Sequence, residues 1–310
     1  MQVHHNIGQL PLFRNAVITI GTFDGVHMGH RRIITKLKEE AAAINGETVI
    51  ITFHPHPRKI VAHGAAPVRL INTLAEKQEL LESLGIDHLV VVPFTADFSN
   101  QSAEDYIQNF LIEKFNPQTI IIGYDHRFGK GRSGNYLLLE EKALVYNYQL
   151  KEIPKHVLDE IAISSTKIRE SLQEGDIAVA EKLLGYPFFV TGLILHGRRI
   201  GRTLGFPTAN IDVVPKQIVP GYGVYGVRVQ IKENRFSGVC NIGTRPTLDL
   251  DERSIEVHID GFEGNIVGEE ISVMFHCRLR DEIKFGSLEE LIEQISKDIV
   301  TARKCLAAID

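Results

Sequence analysis

The segment at residues 21–30, Gly-Thr-Phe-Asp-Gly-Val-His-Met-Gly-His, constrains the fold of this chain more than any other segment. The apolar run 16–20 precedes it and predicts a strand, and a helical spacing of apolar residues follows it as far as Ile44. The order is therefore strand, glycine-rich turn and helix. His27 and His30 lie three residues apart and share one face of a helix. Because the free N–H groups of a helix N-terminus bind anions, the segment predicts a phosphate site flanked by two imidazoles.

The rest of the first half repeats the alternation of strand and helix. Strands are predicted at residues 16–21, 48–53, 88–93 and 119–122. Thr73 and Glu76 form a capping box that opens one helix, and a second helix is predicted over residues 103–115. This alternation predicts a doubly wound, Rossmann-like parallel sheet, in which ligands bind beyond the carboxyl ends of the strands. Segments 53–57 and 123–129 also follow strands, so we expect them to converge with the first segment.

The pattern changes after residue 187. Short strands separated by turn residues are predicted at 223–229, 238–242, 254–259 and 270–275. They indicate a small antiparallel β-barrel, followed by a C-terminal helix that a capping box opens at Ser287. The sequence therefore predicts two domains, at residues 1–187 and 188–310.

Net charge, hydropathy and cysteine content indicate which partners and which cellular compartment to expect. The net charge is −5 with no run of Lys or Arg, which argues against a nucleic-acid partner. No stretch is long enough to span a bilayer and no signal peptide is recognised, so no membrane partner is expected. The three cysteines are far apart in sequence, which fits a reducing cytoplasm, and we expect Cys240 and Cys277 to be buried free thiols. The oligomeric state does not follow from the sequence.

A second candidate phosphate segment lies at residues 164–169, Ser-Ser-Thr-Lys-Ile-Arg. Hydroxyls and helix N–H groups can bind phosphate oxygens, and Arg169 can bind them through two hydrogen bonds. The alternative is an ordinary Ser/Thr helix cap with solvated cations. The histidine pair has an alternative of its own, as a structural or metal-binding pair.

The most cationic segment of the second half lies at residues 196–210. Three glycines and three arginines within ten residues suit a loop that wraps a polyphosphate. Thr208 and Asn210, two apart on a strand, point the same way and offer oxygen ligands suited to Mg²⁺. The alternative is a glycine-rich hairpin with surface arginines.

Four segments of the first half together resemble the FMN adenylyltransferase module of prokaryotic FAD synthetases, within the nucleotidyltransferase superfamily. They are residues 21–30, 55–57, 123–129 and 164–169. The resemblance implies that His27 and His30 act in catalysis. It implies nucleotide or phosphate binding by Gly21, Thr22, Phe23, Asp24, Gly29, Ser164, Ser165, Thr166 and Arg169, and flavin binding by Pro55, Pro57, Asp125 and Phe128. The sequence departs from the family at His54, usually acidic, and at His126, usually aromatic.

The second half resembles the riboflavin kinase module. The segment Gly-Arg-Arg-Ile-Gly-Arg-Thr-Leu-Gly-Phe-Pro-Thr-Ala-Asn at 197–210 carries the resemblance, together with 241–247, 254–259 and 279–285. It implies that Glu256 is the general base, that Thr208 and Asn210 bind the metal, and that Arg280 lies beside the flavin or a phosphate. Phosphate binding is implied for Gly197, Arg198, Gly201 and Gly205.

Together the two resemblances imply a bifunctional enzyme. It phosphorylates riboflavin to FMN and adenylylates FMN to FAD, with ATP as co-substrate and Mg²⁺ as cofactor. Two alternatives remain: a paralogue in which one module is weakened, and a flavin- or nucleotide-binding protein without turnover. The presence of His27, His30, Thr208, Asn210 and Glu256 argues against the second alternative.

Overall fold

The computed structural model describes residues 1–61, 68–153, 164–196, 201, 204–247 and 250–309, and of residues 245–247 and 250–252 only the backbone. The chain divides into two compact units, Met1–Ser164 and Ser165–Asp310. Gly197 and Arg198, which are predicted to bind phosphate, lie outside the described residues.

The first unit is built on a six-stranded sheet in the order β1-β4-β3-β2-β5-β6, with every neighbouring pair parallel. The strands are β1 (Gln2–His4), β2 (Val17–Ile20), β3 (Thr48–His54), β4 (His88–Pro93), β5 (Thr119–Gly123) and β6 (Gln149–Ile153). The doubly wound parallel sheet expected from the sequence is confirmed.

Helices connect these strands. They are α1 (Met28–Ala43), α2 (Arg58–Val61), α3 (Leu74–Ser83), α4 (Ala96–Ser99), α5 (Ala103–Asp105), α6 (Glu113–Phe115) and α7 (Tyr136–Tyr146), with a 3-10 turn at Lys130–Arg132. The helix expected over residues 103–115 is continuous, but its middle, Tyr106–Ile112, is π-helical. The capping box of α3 is present in both directions between Thr73 and Glu76.

The central strands are buried on both faces. In β2, Ile18 and Ile20 belong to one hydrophobic core, whereas Val17 belongs to the core on the opposite face of the sheet. Because successive side chains of a strand point to opposite faces, one short apolar strand supplies both cores. The carboxyl ends of β3, β2 and β5 therefore form one continuous edge.

The second unit contains a closed antiparallel barrel in the order β10-β11-β8-β7-β12-β9. Its strands are β7 (Phe189–Leu195), β8 (Thr208–Val213), β9 (Gly223–Ile231), β10 (Asn234–Thr247), β11 (Leu250–Ile259) and β12 (Glu270–Arg280). The helices of this unit are α8 (Ser165–Glu174), α9 (Ile177–Leu184) and α10 (Leu288–Ala307). The antiparallel barrel and its C-terminal helix are confirmed.

The packing boundary falls earlier in the chain than the change in sequence pattern. Helices α8 and α9 precede residue 187 but pack within the second unit, where α9 contacts β12. The apolar side chains Ile168, Leu172 and Leu184 on these helices are fully buried. The domain boundary expected near residue 187 from the sequence pattern stays a prediction.

The cysteines differ in part from expectation. Cys240 is free and buried, as expected, but Cys277 in β12 forms a disulfide with Cys305 in α10, so the prediction of a free Cys277 is wrong. The two residues are 28 apart in sequence, and they meet because α10 packs along β12. Their spacing alone carries no sign of this pairing.

Among the described residues, no helix combines the length and the apolar character needed to cross a membrane.

Candidate active sites

The turn after β2 has an unusual backbone. Phe23, Gly25 and Val26 have φ values of 47°, 90° and 37°. Only glycine adopts such values readily, and a β-branched residue rarely does. The Gly21 amide donates to the carbonyl of Ile51 at 3.0 Å, which anchors the turn to β3. Strained backbone of this kind is concentrated at ligand-binding sites, so the turn is a strong candidate for one.

The two histidines of this segment stack on each other. His27 caps α1, and its Nδ1 accepts from the backbone N–H of His30 at 3.3 Å. The ring centroids of His27 and His30 are 3.7 Å apart, with 15° between the planes. Gly29 permits this geometry, because a Cβ there would lie 3.2 Å from two atoms of the His27 ring. The predicted shared face is thus an imidazole stack at a helix N-terminus.

His30 is held in its neutral form. Burial lowers the pKa of His30 well below its usual value, and the nearby His27 and Lys77 lower it further. Its Nδ1 is buried without a hydrogen-bond partner. An unsatisfied buried nitrogen costs stability unless a ligand uses the ring. A neutral imidazole at a helix N-terminus can donate one hydrogen bond to a phosphate oxygen.

Two predicted phosphate residues of the turn have their side chains inside the protein. The Phe23 ring is buried in the core with its centroid 4.9 Å from that of His30. The Asp24 carboxylate is 2 % exposed and accepts from the backbone N–H of Ile71 at 2.9 Å. These contacts support the turn, and direct phosphate contact by either residue stays a prediction.

Lys77 is a residue of this region that the sequence reasoning missed. It lies in α3, is 8 % exposed, and its Nζ donates to the Thr22 carbonyl at 2.7 Å. The available signal was its position: Lys77 lies four residues before Leu81 and three after Leu74, on the stripe that α3 buries. A lysine on such a stripe is rare unless its charge has a partner.

The predicted flavin residues follow β3 and β5. Pro55 and Pro57 are half-buried after β3, and Asp125 is exposed after β5. Phe128 is buried and stacks on Tyr106, with ring centroids 4.9 Å apart. Since β3 and β5 flank β2, these segments share the sheet edge with the turn, as expected. Flavin contact by each residue stays a prediction.

Residues 164–169 lie at the division between the units. Ser164 ends the first unit and is exposed, and α8 begins at Ser165. The buried Ile168 fixes the inner face of α8, while Thr166 is exposed and Arg169 half-exposed. A hydroxyl-rich helix start therefore exists as predicted, and its phosphate role stays a prediction.

In the second unit, strand register brings the predicted kinase residues together. Asn210 of β8 lies directly opposite Glu256 of β11, and Glu256 in turn lies opposite Asn241 of β10. The Thr208 hydroxyl donates to Glu256 Oε2 at 3.5 Å. Directly paired residues on neighbouring strands project from the same face. Ile255 and Val257, on either side of Glu256, are buried in the barrel.

These side chains fit a magnesium ion. A hydroxyl and an amide oxygen two residues apart on β8 are hard oxygen ligands of the kind that Mg²⁺ prefers, and Thr208 and Asn210 supply them. The Glu256 carboxylate lies beside them on the paired strand. Among the described residues, no group of three or more His, Cys, Asp or Glu could hold a metal.

Gly201 and Gly205 of the glycine-rich loop are among the described residues. Gly201 lies close to the backbone of Phe206: a Cβ at residue 201 would lie 2.4 Å from the Phe206 carbonyl oxygen. The Phe206 amide donates to the Gly201 carbonyl at 2.8 Å. Gly205 has a φ of 86°, in the left-handed region. Phosphate binding by these glycines stays a prediction.

Arg280 is engaged within the barrel. Its Nε and Nη2 contact the Asp298 carboxylate at 2.8–3.1 Å, and Nη1 donates to the Asp281 carbonyl at 2.8 Å. Asp298 is buried in α10 and also accepts from Gln294. In this geometry Arg280 links β12 to α10, and its predicted contact with flavin or phosphate stays a prediction.

We expect Asp298→Ala to destabilise the second unit by about 3–5 kcal/mol, because Arg280 would lose its buried carboxylate partner. Urea unfolding, followed through the loss of riboflavin phosphorylation, measures the effect. The control is Lys297→Ala, which removes the exposed ion pair with Glu293 and should leave the midpoint nearly unchanged. Equal midpoints for the Asp298 variant and the original protein would contradict the prediction.

Comparison with known families decides the identity. A model described as FAD synthetase matches residues 11–167, and one described as riboflavin kinase matches residues 184–306. Bifunctional riboflavin kinase/FMN adenylyltransferase of Escherichia coli K12 is 38 % identical over 301 residues, covering 97 % of this chain and 95 % of that protein. The chain belongs to the bifunctional riboflavin kinase/FMN adenylyltransferase family. The expected pair of modules and their order are confirmed.

One further relative and one solved structure are similar to this chain over nearly its full length. The Buchnera aphidicola (Schizaphis graminum) protein of that name is 41 % identical, covering 97 % of this chain and 96 % of its own. A crystal structure described as a macrolide-efflux protein from Streptococcus pneumoniae has a TM-score of 0.86 and 28 % identity. It covers 97 % of this chain and 98 % of that one, so the whole two-unit fold is shared.

The burial of His126 has a consequence for the stability of the first unit. Its Nε2 is buried without a hydrogen-bond partner. Burial lowers the pKa of His126 to about 4, while Asp125 opposes the shift and Arg132 and Arg127 add to it. The folded protein therefore keeps the ring neutral under conditions in which the unfolded chain protonates it.

We expect His126 to make the first unit acid-sensitive. As pH falls from about 6.5 to about 4, the unfolded state binds a proton that the folded state refuses, and up to about 3 kcal/mol of stability is lost. His126→Phe removes this group, so its unfolding free energy should fall less over that range. Denaturation at pH 7 and pH 5, followed through FMN adenylylation after return to pH 7, measures the difference. Parallel losses in both proteins would contradict the prediction.

Proposed function

We propose that the barrel transfers the γ-phosphoryl group of ATP to riboflavin through Glu256, and that the first unit transfers AMP to FMN at the His27–His30 stack. One observation carries the proposal most strongly: the register that aligns Asn210, Glu256 and Asn241 beside Thr208. A carboxylate flanked by hydroxyl and amide oxygens suits the phosphorylation of an alcohol.

Riboflavin phosphorylation requires a base. The 5′-hydroxyl is an alcohol and is not ionised at neutral pH, so its proton must be removed as the oxygen attacks the γ-phosphorus. Glu256 accepts that proton, the bond from the γ-phosphorus to the β-phosphate oxygen breaks, and ADP leaves. Fixed on a rigid strand, Glu256 holds its carboxylate in a defined position toward the hydroxyl.

Thr208 and Asn210 are the proposed ligands of Mg²⁺ in the barrel. When bound, the ion neutralises negative charge on the ATP phosphates. The side chains themselves hold their oxygens on one face of β8, with Glu256 on the paired strand. Gly197, Arg198, Gly201 and Gly205 are proposed to hold the polyphosphate, and Arg280 the flavin.

Adenylyl transfer needs no strong base. A phosphate monoester has a second pKa of about 6, so the FMN phosphate is mostly a dianion at neutral pH. One of its oxygens attacks the α-phosphorus of ATP, the bond to the β-phosphate oxygen breaks, and pyrophosphate leaves. His27 and His30 stabilise the charge on the transferring group, with the amides of Thr22 and Phe23 in the turn. Ser164, Ser165, Thr166 and Arg169 are proposed to hold the pyrophosphate.

We further propose that the protein acts in the cytoplasm on small molecules, without a nucleic-acid partner. The net charge of −5 and the absence of a basic run in the sequence argue against a nucleic-acid partner. We also propose that adenylyl transfer belongs to residues 1–187 and riboflavin phosphorylation to residues 188–310.

Labelled ATP tests the assignment of the two reactions. Full-length protein is incubated with Mg²⁺, riboflavin and ATP labelled at the γ-phosphate, or with Mg²⁺, FMN and ATP labelled at the α-phosphate. We expect label in FMN, and in the FAD made from it, in the first case, and in FAD in the second. Product in one reaction alone would favour a paralogue with one weakened module, and flavin binding without product would favour a binding protein.

A further inference from the structure

Lys77 lies behind the turn that carries the adenylyl-transfer residues. Its Nζ donates to the Thr22 carbonyl at 2.7 Å, and the Thr52 hydroxyl donates to the same oxygen at 3.2 Å. The capping box at Thr73 and Glu76 fixes the start of α3 one turn earlier, with hydrogen bonds of 2.7 and 3.2 Å. Lys77 is therefore held at a fixed distance from the turn.

The Thr22 carbonyl determines where the next amide points. The Thr22–Phe23 peptide is not among the cis bonds of the structure. In a planar trans peptide the C=O and the following N–H point in opposite directions. Since Lys77 and Thr52 bind the oxygen, the Phe23 N–H points away from them. If this peptide were flipped, the Thr22 carbonyl oxygen, with its partial negative charge, would face the phosphate in place of the Phe23 N–H donor.

Several charged and titratable groups lie around Lys77 and interact with its charge. Asp24 faces it from the turn and favours the charged form, whereas burial lowers the pKa of Lys77 to about 8. The pKa of His30 in α1 is lowered by burial and then by His27 and Lys77, and the pKa of His54 in β3 by burial and then by Lys59 of α2, Lys77 and His5. A buried ammonium that acts on His30 in this way raises the positive potential at the histidine stack.

We propose that Lys77 is a positioning residue for adenylyl transfer, orienting the Thr22–Phe23 peptide and placing a positive charge behind the turn that receives the phosphates. The proposal rests on the adenylyltransferase role of the first unit. Lys77 acts through the turn and does not need to touch the substrate. Its charge favours the transition state, in which negative charge moves onto the leaving pyrophosphate.

Three substitutions separate charge from structure. Lys77→Met removes both the charge and the hydrogen bond, Lys77→Arg keeps the charge, and Thr52→Val removes only a neutral donor to the same carbonyl. We expect Lys77→Met to lower kcat for FMN adenylylation by about 30-fold with KM changed by less than about threefold, a pattern expected for an interaction made mainly in the transition state. Lys77→Arg should recover most of the loss, and Thr52→Val should stay within about threefold of the original rate.

The pH profile supplies a measurement that needs no substitution. If charged Lys77 is required, kcat/KM for FMN adenylylation falls as pH rises through about 8, because the ammonium loses its proton. In Lys77→Arg the fall should move to higher pH, since arginine stays protonated. Riboflavin phosphorylation in the same samples corrects for loss of active protein.

The outcomes distinguish this inference from the proposed function. Absence of FAD formation from FMN by the unsubstituted protein would refute the function itself. Full FAD formation by folded Lys77→Met, or an equal loss in Thr52→Val, would overturn the role of Lys77 alone. Should Lys77→Met not fold, a flat profile of the original protein between pH 7 and 9 would overturn it equally.

Discussion

Replacing Glu256 with Gln lowers the rate of riboflavin phosphorylation by about 100- to 10 000-fold, the usual contribution of a general base. The amide keeps the size of the side chain and its place opposite Asn210, but it cannot accept the proton of the 5′-hydroxyl. The barrel should fold normally, because Glu256 projects away from the core that Ile255 and Val257 fill. FAD formation from supplied FMN should be unchanged, since that reaction belongs to the other unit.

Rates of FMN formation from riboflavin and of FAD formation from FMN, measured on the same preparation, test this expectation. The matched control is Glu270→Gln, another strand glutamate of the barrel, which is exposed at the start of β12. It should phosphorylate riboflavin at the original rate. Retention of more than about a tenth of the kinase rate in Glu256→Gln would contradict the role of Glu256 as base.

The second large effect is expected at His30. Substitution by Ala should lower FMN adenylylation by about 100- to 1000-fold, as does the loss of one donor to a developing charge in other enzymes. The His30 ring stacks on His27 and carries a buried nitrogen without a hydrogen-bond partner. We therefore expect this ring to act by binding a ligand. Riboflavin phosphorylation should continue, and the chain should then accumulate FMN.

A second buried histidine provides the control for lost packing. His88 is 8 % exposed at the amino end of β4, on the side of the sheet opposite the turn, and contacts His4 and Glu47. His88→Gln should lower stability but keep the adenylyl-transfer rate of the folded protein. An equal loss of rate in both variants would show that His30 acts through folding alone.

Much of the fold could be predicted because the central strands are buried on both faces. Strands β2 and β5 read as short apolar runs, and the barrel strands alternate between core and surface, so their periodicities are visible in sequence. The edge strands β1 and β6 were missed. β1 has three residues, and β6 reads Gln-Leu-Lys-Glu-Ile with polar positions exposed at the sheet edge, which weakens any apolar signal.

The candidate sites were likewise predictable in part from the sequence. Residues within one segment, such as His27 and His30 or Thr208 and Asn210, could be paired from spacing alone. The alignment of Glu256 with Asn210 and Asn241 depends on strand register, which local sequence does not determine. The partners of Lys77 and Arg280 were out of reach for the same reason, since each contact joins elements that are distant in the chain.

The π-helical centre at residues 106–112 and the Cys277–Cys305 disulfide also depend on tertiary packing. Neither leaves a pattern in residue order. By contrast, the helix caps at Thr73 and Ser287 are local. The capping box at Thr73 is confirmed, whereas at Ser287 the N-cap is present but the Glu290 carboxylate accepts from the Gly286 amide.

The central claim is that one chain carries two separate reactions, and complementation tests it most directly. Glu256→Gln and His30→Ala are each given riboflavin and Mg²⁺-ATP, alone and mixed in equal amounts, and the flavins are separated by chromatography. We predict unreacted riboflavin with the first variant, FMN with the second, and FAD with the mixture alone. Loss of both activities in either folded variant, or failure of the mixture to form FAD, would contradict the account.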